Sequence, residues 1–232
     1  MRTDFKVYVK RAIARSGLPA SYRLEYLNAL LKFGRWIRDN PPMVCFDDRI
    51  ELYSHLNSHL LHNEPIRFLE FGVYQGASLR EWVRLNTHAD SRFWGFDSFT
   101  GLPEPWRRFT GTTAAGAFDL NGSIPDIPDR RVRLVKGYFQ DTLTGFFETQ
   151  HAVDESRLVI HCDADLYSST LYVLATVNRV MVPGTIIVFD EFSSVLHEFR
   201  AFSDFLESFR RQARGVAAAG PFYSRVAVEI VK

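Results

Sequence analysis

The sequence predicts an α/β three-layer sandwich: a seven-stranded, mostly parallel sheet with an antiparallel last strand, helices on both faces, and a helical preface. Three observations carry this. Short runs of branched and aromatic apolar residues recur at 66–71, 92–96, 131–135, 158–160 and 185–189, as strands buried on both faces require. Stretches of helical period lie between most of them. Two further apolar runs, 216–219 and 225–231, flank Gly220-Pro221 and read as a closing hairpin.

The bulk numbers fit one large domain or two small ones. The chain has 232 residues, 46% hydrophobic and 24% charged, which is ordinary globular composition. A net charge of +1 gives no basic footprint for nucleic acid. Met1 is followed by charged residues, and no run of about 18 apolar residues could span a membrane. The two cysteines, Cys45 and Cys162, lack metal-ligand spacing, which suits a reducing cytoplasm. The expected division is a helical segment over 1–64, serving as cap, lid or homo-oligomer surface, and a catalytic domain over 65–232.

Within the preface, residues 4–15 place Phe5, Val9, Ala12 and Ile13 on one helical face. Gly17-Leu18-Pro19 separates them from a second helix over 22–39, whose expected buried face is Tyr26, Leu27, Leu30, Leu31, Gly34 and Ile37. Asn40-Pro41-Pro42 ends it. A third helix is expected over 48–62, capped by Asp47 or Asp48.

The strand at 66–71 runs into Gly72-Val73-Tyr74-Gln75-Gly76-Ala77-Ser78, and Ser78 opens a helix to 85. Glycines there let the backbone turn tightly and approach a ligand, and the helix start offers unpaired N–H groups. The spacing is neither the dinucleotide fingerprint nor a phosphate loop. Glu70, at the strand end, suits a ligand with hydroxyl or ammonium groups. The next strand ends at Asp97, placed to bond ribose hydroxyls or to close a turn before Ser98. From 101 to about 129 the chain is irregular, rich in glycine and proline, and reads as a functional lid. A strand at 131–135 leads through Gly137-Tyr138-Phe139 to a helix over 143–150.

Residues 157–192 are the chemical centre. A strand ends in Asp163-Ala164-Asp165; Ser168, Ser169 or Thr170 caps a helix to about 181; Pro183-Gly184 turns the chain; and a second strand ends in Asp190-Glu191. Ligands of open α/β sheets bind beyond the carboxyl ends of the strands, so these acids should converge. Four carboxylates in one crevice call for a cation, and a hard ion such as Mg²⁺ is the simplest candidate. Alternatively, one or two are caps or solvated loop acids. A last helix over 195–211 carries Phe199, Phe202, Phe205, Leu206 and Phe209 on one face, and His197 in its first turn reads more readily as a surface histidine than as a catalytic one.

With these residues in place the chain resembles a class I S-adenosylmethionine-dependent methyltransferase, and more closely the macrocin O-methyltransferase (TylF) family. The stretches that carry the resemblance are FLEFGVYQGASL at 68–79, FWGFDSFTGLPEPW at 93–106, VKGYFQDTL at 135–143, HCDADLYSST at 161–170 and MVPGTIIVFDEF at 181–192. The resemblance implies a Rossmann-like fold and methylation of sugar or phenol-like hydroxyls on small natural products in antibiotic biosynthesis, with a glycosylated acceptor. It implies that Glu70, Gly72 and Gly76 hold the methionine and ribose side of the cofactor, with Val73, Tyr74, Ser78 and Ser98 alongside. Asp97 would bind ribose hydroxyls, and Gly137, Tyr138 and Phe139 would border the adenine. Asp163 would border the cofactor and hold Mg²⁺ together with Asp190 and Glu191, while Asp165 would be the general base. Family members commonly carry Asp-Asp where this chain has Asp190-Glu191, so the longer arm of Glu191 sets it apart. The rival of another class is a metal-dependent sugar-nucleotide glycosyltransferase using Asp163-Ala164-Asp165 as a diphosphate clamp; the glycine turn and the second acidic pair are features it does not need. A binding module that lost its chemistry, or a nicotinamide reductase, fits the acidic set and the glycine spacing less well.

Overall fold

In a computed structural model, residues 7, 9, 10, 15, 21–40, 43–149 and 156–232 are described. They contain an eight-stranded sheet in the order β1-β9-β10-β8-β7-β2-β3-β6 and a separate hairpin, β4-β5. The strands of the sheet are β1 (Val44–Phe46), β2 (Ile66–Phe71), β3 (Arg92–Asp97), β6 (Val132–Lys136), β7 (Arg157–Cys162), β8 (Ile186–Phe189), β9 (Ala213–Ala219) and β10 (Arg225–Ile230). β10 runs antiparallel to both of its neighbours, and the other pairings are parallel. This is the expected α/β sandwich with one strand more: β1, three residues long, pairs with β9 at the sheet edge. Its Val-Cys-Phe run after two prolines is too short for a periodicity signal.

Alternation builds the two cores. In β7 and β8, Leu158, Ile160, Ile187 and Phe189 point to one face, and Val159, Ile186 and Val188 to the other. The first face is covered by α1 (Tyr22–Asp39), α4 (Phe139–Thr149), α5 (Tyr167–Val177) and α6 (Glu198–Phe209). The second is covered by α2 (Arg49–His55), its π-helical continuation Leu56–Leu60, and α3 (Ala77–Leu85). Burial of the large apolar side chains on both faces, at about 1.5–3 kcal/mol each, is the main stabilising contribution.

Several expected details shift. Of the helix expected over 4–15, the described residues 7, 9, 10 and 15 are helical; the rest of it, and Gly17-Leu18-Pro19, lie outside the described residues. α1 has the expected bounds, but its buried face is Tyr26, Ala29, Leu30, Phe33, Trp36 and Ile37, while Leu27 and Leu31 face solvent. The aromatic residues decide the rotation: the Phe33 ring packs edge-on against Phe199 at 5.1 Å, and Trp36 against Phe192 at 4.9 Å. Asp48 caps α2 as expected, accepting from the N–H groups of Ile50 and Glu51. α3 begins at Ala77 with Gly76 as its cap residue, so Ser78 is a buried helical residue and not a cap. α4 begins four residues earlier than expected, directly after Gly137-Tyr138.

Candidate active site

The site sits where the strand order reverses, between β2 and β7. From β2 the chain builds outward through β3 and β6, then returns to the other side of β2 with β7 and β8. The carboxyl ends of these strands surround a cavity of about 280 Å³. Among the expected cofactor residues, Gly72, Tyr74, Asp97, Ser98, Gly137, Tyr138 and Phe139 line it. All four acids, Asp163, Asp165, Asp190 and Glu191, line the same cavity. The convergence expected from the strand–helix–strand pattern is therefore present in the fold.

Two turns build the cavity wall at the ends of β2 and β3. Gly72 has φ +93°, and a Cβ there would stand 1.8 Å from the carbonyl oxygen of Asp163. Only glycine lets the β2 turn pass under the β7 turn. The next two N–H groups, of Val73 and Tyr74, donate to Asp97 Oδ2 at 2.8 Å each. Asp97 Oδ1 accepts the N–H of Phe99 at 2.7 Å, so the turn-closing reading holds for this acid as well as the cavity-lining one. Its carboxylate thus locks the glycine turn to the β3 turn and still borders the cavity.

Four expected cofactor residues lie off the cavity. Val73 and Ser78 are buried, and Gly76 caps α3 behind the turn. Glu70 is fully buried under the sheet face that carries α2 and α3, with Oε1 3.7 Å from Nδ1 of the equally buried His161. His161 Nε2 shares a hydrogen bond with the Tyr53 hydroxyl at 2.9 Å. Glu70 points this way because β2 alternates, and Glu70 pairs with His161 on the face opposite Phe71. The geometry thus gives Glu70 a place beneath the glycine turn and no contact with the cavity.

The acids shift one another. Burial, followed by Asp190 and Asp165, pushes Asp163 well above the usual carboxylate range. Burial, then Glu191 and Asp190, pushes Asp165 up to about 7, with Arg108 pulling the other way. Glu191 is raised by burial and by Asp190. Asp165 also sits at φ +58°, a strained position that an aspartate tolerates better than most residues. Asp190 pairs with Arg225, Nε to Oδ1 at 2.8 Å. The donors are hard carboxylate oxygens carrying more negative charge than the neighbouring arginines offset, which is the chemistry a Mg²⁺ site needs. Among the described residues, no three Asp, Glu, His or Cys side chains are gathered closely enough to hold an ion as they stand.

One carboxylate beside the site had no sequence signal. Glu198, the first residue of α6, is a fifth carboxylate: fully buried, it accepts the N–H of Glu191 at 2.9 Å, and its Oε1 has no partner. Burial and then Asp163 push its pKa well up. The expected lid contains an ordered hairpin, β4 (Trp106–Arg108) and β5 (Gly111–Thr113), and Trp106 lines the cavity together with Gly101, Leu102, Pro103 and Phe118. Gln140 and Ser169 complete the wall. The expected caps of α5 are also replaced. Leu166 stands at the cap position and makes no side-chain bond, Ser168 Oγ donates to Glu104, and the N–H of Tyr167 donates to His197 Nδ1. His197 is thus half-buried with both ring nitrogens engaged, and it is not among the residues that line the cavity.

The comparisons agree with this architecture. Residues 47–218 match the macrocin O-methyltransferase (TylF) family. Among curated relatives, 8-demethyl-8-(2,3-dimethoxy-alpha-L-rhamnosyl)-tetracenomycin-C 4'-O-methyltransferase of Streptomyces olivaceus is 26% identical over 158 residues, 59% of this chain and 58% of the relative. Demethyldecarbamoylnovobiocin O-methyltransferase of Streptomyces niveus is 28% identical over 147 residues, 56% and 54% respectively. The chain thus spans a little over half the length of each. Among solved structures, the O-methyltransferase NovP superposes with TM-score 0.58 at 21% identity, covering 79% of this chain and 80% of that one. An O-methyltransferase from Bacillus cereus in complex with SAH does so with TM-score 0.52 at 15% identity, covering 97% of each. These likenesses establish the fold, and the family match over well over half of the chain establishes the lineage: the chain belongs to the macrocin O-methyltransferase family.

Proposed function

We propose that this chain is an S-adenosylmethionine-dependent O-methyltransferase acting on a hydroxyl of a small glycosylated natural product, with Asp165 as general base. One observation carries the reading: Asp165 and three further carboxylates line the same cavity as a glycine turn that has no room for a side chain, and burial with its acidic neighbours raises Asp165 to about 7. A general base works best when its pKa lies near the working pH. The names of the two relatives, both O-methyltransferases and one acting on a rhamnosyl group, support the acceptor class. The SAH complex of the Bacillus cereus relative supports the cofactor.

The cavity fits the cofactor in kind. The Gly72 turn allows close backbone approach, Asp97 offers carboxylate oxygens to hydroxyls, and Tyr138 and Phe139 give an aromatic border for a purine. When bound, S-adenosylmethionine supplies the electrophilic methyl group. Asp163, Asp190 and Glu191 would hold Mg²⁺, which lowers the pKa of a coordinated hydroxyl. The chain's own work is then threefold. The turns at 72 and 163 set the cofactor against the acceptor side, so orientation contributes much of the rate. Asp165, in its strained turn, takes the hydroxyl proton. The hairpin 106–113 and Trp106 limit water on the acceptor side.

The test is a thermal-shift titration with S-adenosylhomocysteine, and separately with UDP- and GDP-sugars, each with and without Mg²⁺. Ligand at 100 times its Kd stabilises by about 2.7 kcal/mol, a shift of a few degrees. A shift with S-adenosylhomocysteine is expected. A metal-dependent shift with a nucleotide sugar alone would transfer Asp163 and Asp165 to the glycosyltransferase reading.

A further inference from the structure

His197 stands between the two halves of the acceptor side. Its Nδ1 accepts the N–H of Tyr167 at 3.3 Å, which leaves Nε2 as the protonated nitrogen; Nε2–H donates to the carbonyl of Arg107 at 2.7 Å. Tyr167 opens α5 two residues after Asp165, and Arg107 lies in β4 between Trp106, which lines the cavity, and Arg108. The same carbonyl accepts from the Tyr22 hydroxyl at 3.3 Å, Phe109 stacks on Tyr26 at 4.8 Å, and Ser168 Oγ donates to Glu104 at 2.6 Å. The Trp106 ring meets His197 edge-on at 6.4 Å and carries the Arg108 guanidinium on its face at 4.3 Å.

We infer that His197 is a positioning residue: its ring, as the Nε2–H tautomer, fastens the hairpin 106–113 to the turn that carries Asp165 and so fixes the acceptor-side wall of the cavity. This deepens the methyl-transfer reading by naming what sets the distance between the base and the lid. The ring acts by supplying the missing acceptor at the start of α5 and a donor to the hairpin at once. The hydrogen bonds within the hairpin are few, since β4 and β5 pair over three residues each. Without outside fastening, a ribbon that short is marginal in water.

The test uses trypsin, because Arg107 and Arg108 are exposed hairpin residues and fastened backbone resists cleavage. In the full-length protein, His197→Ala should raise the rate of cleavage after Arg107 and Arg108 several-fold, read by mass spectrometry, while S-adenosylhomocysteine affinity stays within about twofold of wild type. His197→Gln, whose amide offers an acceptor and a donor, should restore the slow cleavage. In the wild-type protein labelled with ¹⁵N-histidine, His197 should resonate as the Nε2–H tautomer. Unchanged cleavage in His197→Ala, an Nδ1–H tautomer, or faster cleavage that Gln fails to restore would each overturn the inference. The methyl-transfer reading fails separately, if wild-type protein does not bind S-adenosylhomocysteine.

Discussion

Arg225 holds Asp190 across the boundary between β8 and β10: Nε donates to Oδ1 at 2.8 Å, with Asp190 nearly buried and Arg225 partly so. The pairing follows from sheet register, because Val226 lies opposite Phe189 and the residues flanking that pair meet at the strand ends. Arg225 therefore sets a cation beside Asp190, as Arg108 does on the side of Asp165 and Glu191. Replacing it with methionine removes the charge and keeps the apolar stem. Removing one partner of a buried pair strands the other charge, and partial exposure moderates the effect. Arg225→Met should lower stability by about 2 kcal/mol in urea unfolding, and added Mg²⁺ should stabilise the variant more than wild type. A variant as stable as wild type and indifferent to Mg²⁺ would show that Asp190 does not depend on a cation.

Asp165 must be ionised to accept a proton, and its pKa is raised to about 7. Without added Mg²⁺, turnover should therefore rise by about tenfold between pH 6 and pH 8 and level off above that, and bound Mg²⁺ should move the rise to lower pH. Asp165→Asn should bind S-adenosylhomocysteine normally and lose at least about 100-fold in kcat. Full activity in this variant would assign the base elsewhere.

The same shift has a stability consequence of opposite sense. Between 3.8 and about 7 the folded protein binds a proton at Asp165 that the unfolded chain has released. Stability from this group is thus present below pH 3.8 and lost as pH rises through about 7. The full shift corresponds to a few kcal/mol at most, on the order of 4. Metal-free Asp165→Asn should melt several degrees higher than wild type at pH 8, with the gap closing toward pH 4. An Asn variant that melts lower at pH 8 would contradict the burial-driven shift.

Gly72→Ala places a Cβ against the Asp163 carbonyl at a backbone angle that alanine resists. The turn must open, separating the cofactor side from the acids. The expected loss is about 3 kcal/mol or more of stability, together with loss of the S-adenosylhomocysteine thermal shift. A variant that keeps both would mean that the β2 and β7 turns move apart freely.

Much of this protein was readable along the chain. The buried strands announce themselves as branched apolar runs, and the glycine turn and both acidic pairs sit at their ends. A parallel α/β sheet brings strand ends together whatever the loops do, so Asp163, Asp165, Asp190 and Glu191 could be placed in one crevice from order alone. What the sequence could not assign was direction and partnership. Glu70 looks like a cavity acid by position, yet strand alternation turns it under the sheet to His161. Ser168 looks like a helix cap, but Glu104, 64 residues away, takes its hydroxyl, and His197 caps Tyr167 from another helix. Glu198 gave no signal along the chain and is fully buried, its carboxylate accepting the N–H of Glu191. Local sequence determined which residues form strands, turns and helix faces, because those depend on steric and apolar periodicities a few residues long. Tertiary structure decided which polar atoms meet, because a hydrogen bond is satisfied by whatever donor or acceptor packing brings within reach, and that partner can lie anywhere in the chain.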